Sequence, residues 1–471
     1  MRKVKFILTI SLCLLYIVQI NAYNFEMDGI YYNYIPGTKN LEVTYNPDNG
    51  YIGKVVIPET VTYSGTTYRV TRIGERAFYP SSLPNANTNL PDNVNNKKNV
   101  SLQYPYLTSV VIPKGVKKIG KEAFMGCIEL SSVTIPEGVI NIGSGAFMNC
   151  CALKSIKLPN SLINIEEKAF MGCNFTSIVI PENVINIGEK AFMTCIYLTS
   201  VNIPKSLTHI DKYTFYGCNL HSVDIPKSVT SIGERAFGNC RNMVSVSIPG
   251  SVTNIGEGAF ETCNSLVYVD IPDGVTFIGN YAFDGCSNLV SLTLSNSILD
   301  IENYAFRGCY NLKRVEVEWD IPMTVSLYHF QRIDLSQCTL YVPKGSVSYY
   351  KSAPVWKDFG KINDNYLFSY RNDIDFKPSG GIDNINVRSS VNWKASTNAS
   401  WIKISPESSK GSKKLMVSVL PNENDIPRFA DVRVSGAGVS NWIVRISQEA
   451  FSSDEGIRDF VSQRDEKKSN P

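Results

Sequence analysis

Cysteine is the residue whose recurrence suggests chemistry in this sequence. Nine cysteines fall at Cys127, Cys150, Cys173, Cys195, Cys218, Cys240, Cys263, Cys286 and Cys309, at steps of 22 or 23 residues. Regularly spaced thiols have three chemical uses: cross-linking, metal ligation and redox or nucleophilic work. Metal ligation is disfavoured, because the chain has no Cys-x-x-Cys and its three histidines, His209, His221 and His329, do not recur in phase. Cross-linking is disfavoured by geometry. Coils stacked at about 4.8 Å carry this position with parallel side chains, whereas a disulfide needs Cβ atoms roughly 3.5–4.5 Å apart on converging vectors. The expectation is buried thiols that act as small hydrophobes and weak donors to the turn backbone. Cys151 and Cys338 stand outside the ladder and are the candidates for a reactive thiol. No Gly-x-Ser-x-Gly, P-loop or His-Glu-x-x-His motif is present, and a carboxylate pair for glycoside hydrolysis is set by a fold rather than by a spacing. The reading is a non-enzyme with no cofactor, no metal and no catalytic residue.

Two further ladders run in the same phase and show what must position the thiols. Ala-Phe, with Thr214-Phe215 in one place, ends at Phe78, Phe124, Phe147, Phe170, Phe192, Phe215, Phe237, Phe260, Phe283 and Phe306. Ile-Pro or Leu-Pro recurs at Pro113, Pro136, Pro159, Pro181, Pro204, Pro226, Pro249 and Pro272. Within one unit, Val133 and Ile135 alternate with polar neighbours, the period of a half-buried strand. Pro136 cannot donate to a ladder and ends that strand. Gly143 is expected to permit a tight turn, and Ala146-Phe147 to return across the core on a short helical or irregular segment. No single unit buries both its Val/Ile face and its phenylalanine, whereas stacked units do.

The pattern [Val/Ile]-x-[Ile/Leu]-Pro-x-x-[Val/Leu]-x-x-Ile-Gly-x-x-Ala-Phe-x-x-Cys-x-x-Leu resembles the BspA-like (treponemal-type) leucine-rich repeat of bacterial surface proteins. It runs through residues 106–312. The resemblance implies a leucine-rich repeat solenoid, a parallel β stack with short irregular or helical returns. Residues 23–78 read as an N-terminal cap with a first repeat, and residues 313–366 as the C-terminal cap that keeps strand edges and core from solvent. Between Phe78 and Phe124 the interval is twice 23, and residues 79–105 read as either an eroded repeat or an insertion.

Strand phase predicts two outward rows. One is nearly uniform: Ser109, Ser132, Ser155, Ser177, Ser200, Ser222, Ser245, Tyr268, Ser291 and Arg314. The other varies in size and sign: Val111, Thr134, Lys157, Val179, Asn202, Asp224, Ser247, Asp270, Thr293 and Glu316. Lys157, Asn202, Asp224, Tyr268, Asp270, Arg314 and Glu316 are therefore the candidate ligand-reading residues. An ordinary solvated sheet face is the plainer alternative.

After Phe359 the ladder stops. Residues 367–449 carry short alternating runs separated by Gly380-Gly381, Gly411-Ser412 and Gly436-Ala-Gly438, the signature of a small β-sandwich. The set Trp393, Ser400-Trp401-Ile402, Gly411, Val417-Ser-Val419, Asn424, Arg428, Val432 and Ile446-Ser447-Gln448 resembles a BACON domain. That resemblance implies an immunoglobulin-like sandwich serving as spacer or carbohydrate and mucin binder, with Trp393 and Trp401 as candidate stacking residues. Residues 450–471 are polar and read as a disordered tail.

Arg2, Lys3 and Lys5 precede an apolar run from Phe6 to Ile20, so residues 1–22 read as a signal peptide cleaved near Ala22. The formal charge of +3 resides in that leader, leaving 43 basic and 43 acidic residues. A neutral chain lacks the electrostatic footprint of a nucleic-acid binder, and no later stretch is long enough to span a bilayer. The expected product is an exported, extracellular or cell-surface protein. Its repeat arm would recognise a host or microbial protein or glycoprotein, and the resemblance to BspA-like surface proteins implies adhesion, with extracellular-matrix glycoproteins as candidate ligands. The alternative is glycan binding through the sandwich.

Overall fold

The computed structural model describes residues 23–48, 50–80, 106–369 and 371–451. The leader, residues 81–105 and residues 452–471 of the tail lie outside that description. Residues 25–359 share one hydrophobic core and residues 367–446 a second. The first is a solenoid of parallel β-ladders joined by turns, and the second a two-sheet sandwich.

Most central coils carry two short strands where the sequence suggested one, and the coil through Ser155–Lys157 carries only the second. The Val-x-Ile strand appears at Ser132–Thr134, Ser222–Asp224, Ser245–Ser247, Tyr268–Ile271, Ser291–Leu294 and Arg314–Val317. A second parallel ladder is built from dipeptides, Asn141–Ile142 on Asn164–Ile165 on Asn186–Ile187. Gly143 follows this second strand without a left-handed turn. A Cβ there would meet the Gly120 carbonyl carbon at 2.8 Å, so this glycine is required by close approach of one coil to the next.

Inside the coils, Phe78 through Phe306 form one column with ring centroids 4.7 to 5.7 Å apart and planes within 14° of parallel. Phe330 adds a further rung at 5.8 Å. Its predecessor is His329, so it escapes the Ala-Phe pattern. Phe78 stacks directly on Phe124 at 4.7 Å, and Ile73 pairs with Ile119, so these two units are neighbours in the stack.

Beside the column stand the thiols. Cys150 Sγ donates to the Phe124 carbonyl at 3.1 Å, Cys218 to Phe192 at 3.2 Å, and Cys309 to Phe283 at 3.4 Å. Burial pushes the thiols of Cys150, Cys218, Cys240 and Cys309 up, that of Cys240 to about 12, which favours the protonated form. All eleven described cysteines are unbridged. Cys338 is no reactive exception, because its Sγ is buried and donates to Leu312 O at 3.0 Å.

The caps close both ends. Antiparallel hairpins from Phe25–Met27 to Asn40–Val43 lead into the parallel strand Thr66–Ile73. At the far end, the helix Val347–Ser352 and the buried Trp356 cover Phe330 and Phe359. In the sandwich, Leu367–Phe368, Gly381–Ser389, Lys413–Val419 and Ile402–Ser405 form one sheet. Asp373–Phe376, Trp442–Gln448, Arg428–Gly436, Asn392–Thr397 and Ser408–Lys410 form the other.

Because Phe192 is fully buried between two stacked rings, Phe192→Ala is expected to cost about 3–5 kcal/mol in urea denaturation. The exposed Phe429 is the control, and Phe429→Ala should change stability by less than about 0.5 kcal/mol. Equal costs would contradict the column.

Candidate functional site

Parallel register stacks the outward rows wherever neighbouring coils pair as strands, in short ladders interrupted at Ser155–Lys157. Ser109 pairs with Ser132, Ser177 with Ser200, Ser222 with Ser245, and Tyr268 with Ser291 and then Arg314. In the second row, Asp224 faces Ser247, and Asp270 is followed by Thr293 and Glu316. Lys157 and Asp224 are exposed, as is Val179. Asn202 is differently employed. Its Oδ1 accepts from Ile180 N–H and its Nδ2 donates to Ile180 O, both at 2.7 Å, which splints a coil where the ladder bonds are thin.

The C-terminal end of the variable row is covered. Arg388, 8% exposed and presented by the sandwich strand Gly381–Ser389, reaches across to three carboxylates of the solenoid. It bonds Asp270, lies 3.3 Å from Glu318 Oε1, and has Nε 3.8 Å from Glu316 Oε2. Asn386 Nδ2 donates to Asp270 Oδ2 at 3.0 Å. Tyr366 O–H donates to Glu316 Oε1 at 3.0 Å, and Ser412 Oγ lies 3.4 Å from the same oxygen. Glu316 is 1% exposed. Two of the candidate reading residues, Asp270 and Glu316, are therefore consumed in docking the second domain. Strand phase located them on the outer face but could not reveal a cover supplied from beyond the ladder.

The two tryptophans are engaged within the sandwich. Trp393 is 2% exposed and its Nε1 donates to Gly411 O at 2.8 Å, so its ring faces are spent in the sandwich core. Trp401 is half-buried, with the Arg428 guanidinium 4.3 Å from its ring centroid. Arg314 and Tyr268 remain beside the docked domain, Arg314 over the Phe368 ring at 5.6 Å. His329 is a structural residue, its ring nitrogens within 2.7 Å of Ser326 O and 2.6 Å of Ile301 O. Among the described residues, no three metal-ligating side chains cluster and no helix is long and apolar enough to cross a membrane.

Comparison with known proteins gives two family matches. The model for the BspA type leucine rich repeat region matches in overlapping stretches, 54–173, 117–243, 163–290 and 232–350. The BACON model, a candidate binding domain, matches 391–449. Among solved structures, a leucine-rich repeat protein from Bacteroides ovatus is 27% identical. The match covers 68% of this chain and 100% of that one, with a TM-score of 0.37. A leucine rich cell surface protein from Faecalibacterium prausnitzii is 26% identical over 62% of this chain and 94% of its own, with a TM-score of 0.33. The leucine rich repeat protein of T. pallidum is 25% identical over 52% and 90% respectively, with a TM-score of 0.35. No curated protein matches the chain.

The docking site carries a pH dependence of defined sign. Burial pushes the Glu316 carboxyl up to about 7, with Arg388 and the Tyr366 hydroxyl opposing and Glu318 and Asp270 reinforcing. Burial also raises Glu318. Freed into solvent, Glu316 returns toward its ordinary 4.5, so the docked state binds the extra proton. Its contribution is present below 4.5 and lost as pH rises through about 7. Between pH 5.5 and 8 the loss is about 2 kcal/mol. Calorimetry of the full chain should show the sandwich melting earlier at pH 8 than at pH 5.5. Glu316→Gln should flatten that difference, and an unaltered difference would exclude Glu316 as its source.

Proposed function

This chain belongs to the BspA-type leucine-rich repeat family, and from that premise we propose that it is an exported surface protein whose repeat arm binds a macromolecule. The carrying observation is the open run of the two rows from Ser132 and Thr134 to Ser245 and Ser247, which ends where the sandwich sits on Asp270 and Glu316. Six coils at about 4.8 Å give a face roughly 25 Å long. Its uniform serine row is flanked by side chains of alternating character, with Lys157, Val179 and Asp224 exposed. A flat polar face of that length suits an extended protein or glycoprotein segment and encloses no reacting atoms, which supports binding rather than catalysis. The ligand class is a host or microbial protein or glycoprotein, including those of the extracellular matrix, in an adhesin-like role. Export follows from the basic and apolar leader, with cleavage near Ala22. The burial of Trp393 and the cover on Trp401 favour the repeat face over these two rings as the site of recognition.

The test is the double reversal Lys157→Glu with Asp224→Lys in the mature chain, read by surface plasmon resonance on immobilised extracellular-matrix glycoproteins and mucins. Both side chains are exposed, so the melting temperature should hold. Binding to any ligand that the unaltered chain recognises should fall by about tenfold or more, since close complementary charges set both register and affinity. Undiminished binding would remove this face from the account.

A further inference from the structure

The serine row changes character at one place. From Ser109 to Ser245 it is all serine, and it then reads Tyr268, Ser291, Arg314. These three stand side by side in parallel register, Tyr268 on Ser291 on Arg314. The change coincides with a cleft of about 250 Å³ between the solenoid and the sandwich, to which both domains contribute.

Its walls sort by chemistry. Val267 and Val290 from the solenoid, with Phe368 and Trp442 from the sandwich, supply apolar and aromatic surface. Ser291 lies on the floor, 4% exposed, and its Oγ has no hydrogen-bond partner among the described residues. A buried hydroxyl left in that state is costly, and a ligand hydroxyl in the cleft would satisfy it. Asn372 is oriented by Trp442, whose Nε1 donates to its Oδ1 at 2.9 Å, so its Nδ2 hydrogens are left to donate. Arg314 holds its guanidinium over Phe368 and makes no ion pair within 4.0 Å of a carboxylate among the described residues. The carboxylates of the adjoining row are engaged elsewhere, with Arg388.

We propose that this junction cleft binds an acidic monosaccharide unit, a uronic or sialic acid, and that both domains are needed to form the site. A pyranose has an apolar face for aromatic and aliphatic walls and hydroxyls for Ser291 and Asn372. Its carboxylate pairs with the planar donor fork of Arg314. The volume admits a single sugar ring, so the ligand is a terminal or branch residue rather than an internal polymer segment. The site is separate from the open face proposed above, and neither assignment requires the other.

The experiment is isothermal titration of the full mature chain with glucuronic acid and N-acetylneuraminic acid. Glucose serves as the neutral ring and hippurate as a carboxylate without a sugar. At least one acidic sugar should bind saturably at millimolar concentration, glucose and hippurate about tenfold more weakly or not at all. Arg314→Gln, at an exposed position, should abolish the preference for acid over glucose without moving the melting temperature. Ser291→Ala should weaken the acidic sugar severalfold, and the Lys157 and Asp224 reversals should leave it unchanged. Absence of saturable acidic-sugar binding, equal binding by hippurate, or an intact acid preference in Arg314→Gln would each overturn the proposal.

Discussion

A thiol proton shared with the coil below sets the geometry of this molecule. Each ladder cysteine donates to the carbonyl of the phenylalanine one coil earlier, while that phenylalanine stacks on its own counterparts. A hydrogen bond from a weak donor contributes little singly. Repeated at a fixed position, it couples with ring stacking to allow one register only. A coil rotated by one residue would lose its thiol bond, its ring contact and its Asn-Ile pairing together. This is why nine coils keep the same residue types at the core positions while their outward residues differ freely.

The second consequence is electrostatic. In-register stacking brings Asp270 and Glu316 onto one face, with Glu318 nearby, and like charges at that spacing repel. Arg388 arrives from the sandwich within ion-pair reach of all three, and Lys413 and Lys414 line the same cleft. Burial pushes both Glu316 and Glu318 toward protonation, and Glu316 is the deepest of the three. The docked state thus approaches balance as Glu316, which burial pushes up to about 7, takes on a proton. Buried charge of this kind contributes orientation more than stability. It fixes where the sandwich sits, and hence which coils keep an open face and which help to line the junction cleft.

The periodic part of this arrangement is legible in the sequence, and the rest is not for identifiable reasons. Val133, Ile135, Phe147 and Cys150 declare their positions because each recurs at 22 or 23 residues. The Asn141–Ile142 strand is hidden, since a dipeptide has no alternation to detect. Gly143 looks like a turn residue until the backbone of Gly120 is seen against it. Phe330 carries histidine where the pattern has alanine. Asp270 and Glu316 were readable as outward residues, but their partner Arg388 belongs to another domain with no common phase. Trp393 reads from sequence as core or platform, the buried core being the commoner fate, and packing puts it in the core.

The register claim is tested most directly by counting thiols in the mature chain with a thiol-specific chromogenic reagent, without reductant. If the cysteines are buried rungs, the native protein should react at no more than one, the half-buried Cys151, and at all eleven in denaturant. Several fast-reacting thiols in the native state, or fewer than eleven after denaturation, would contradict it.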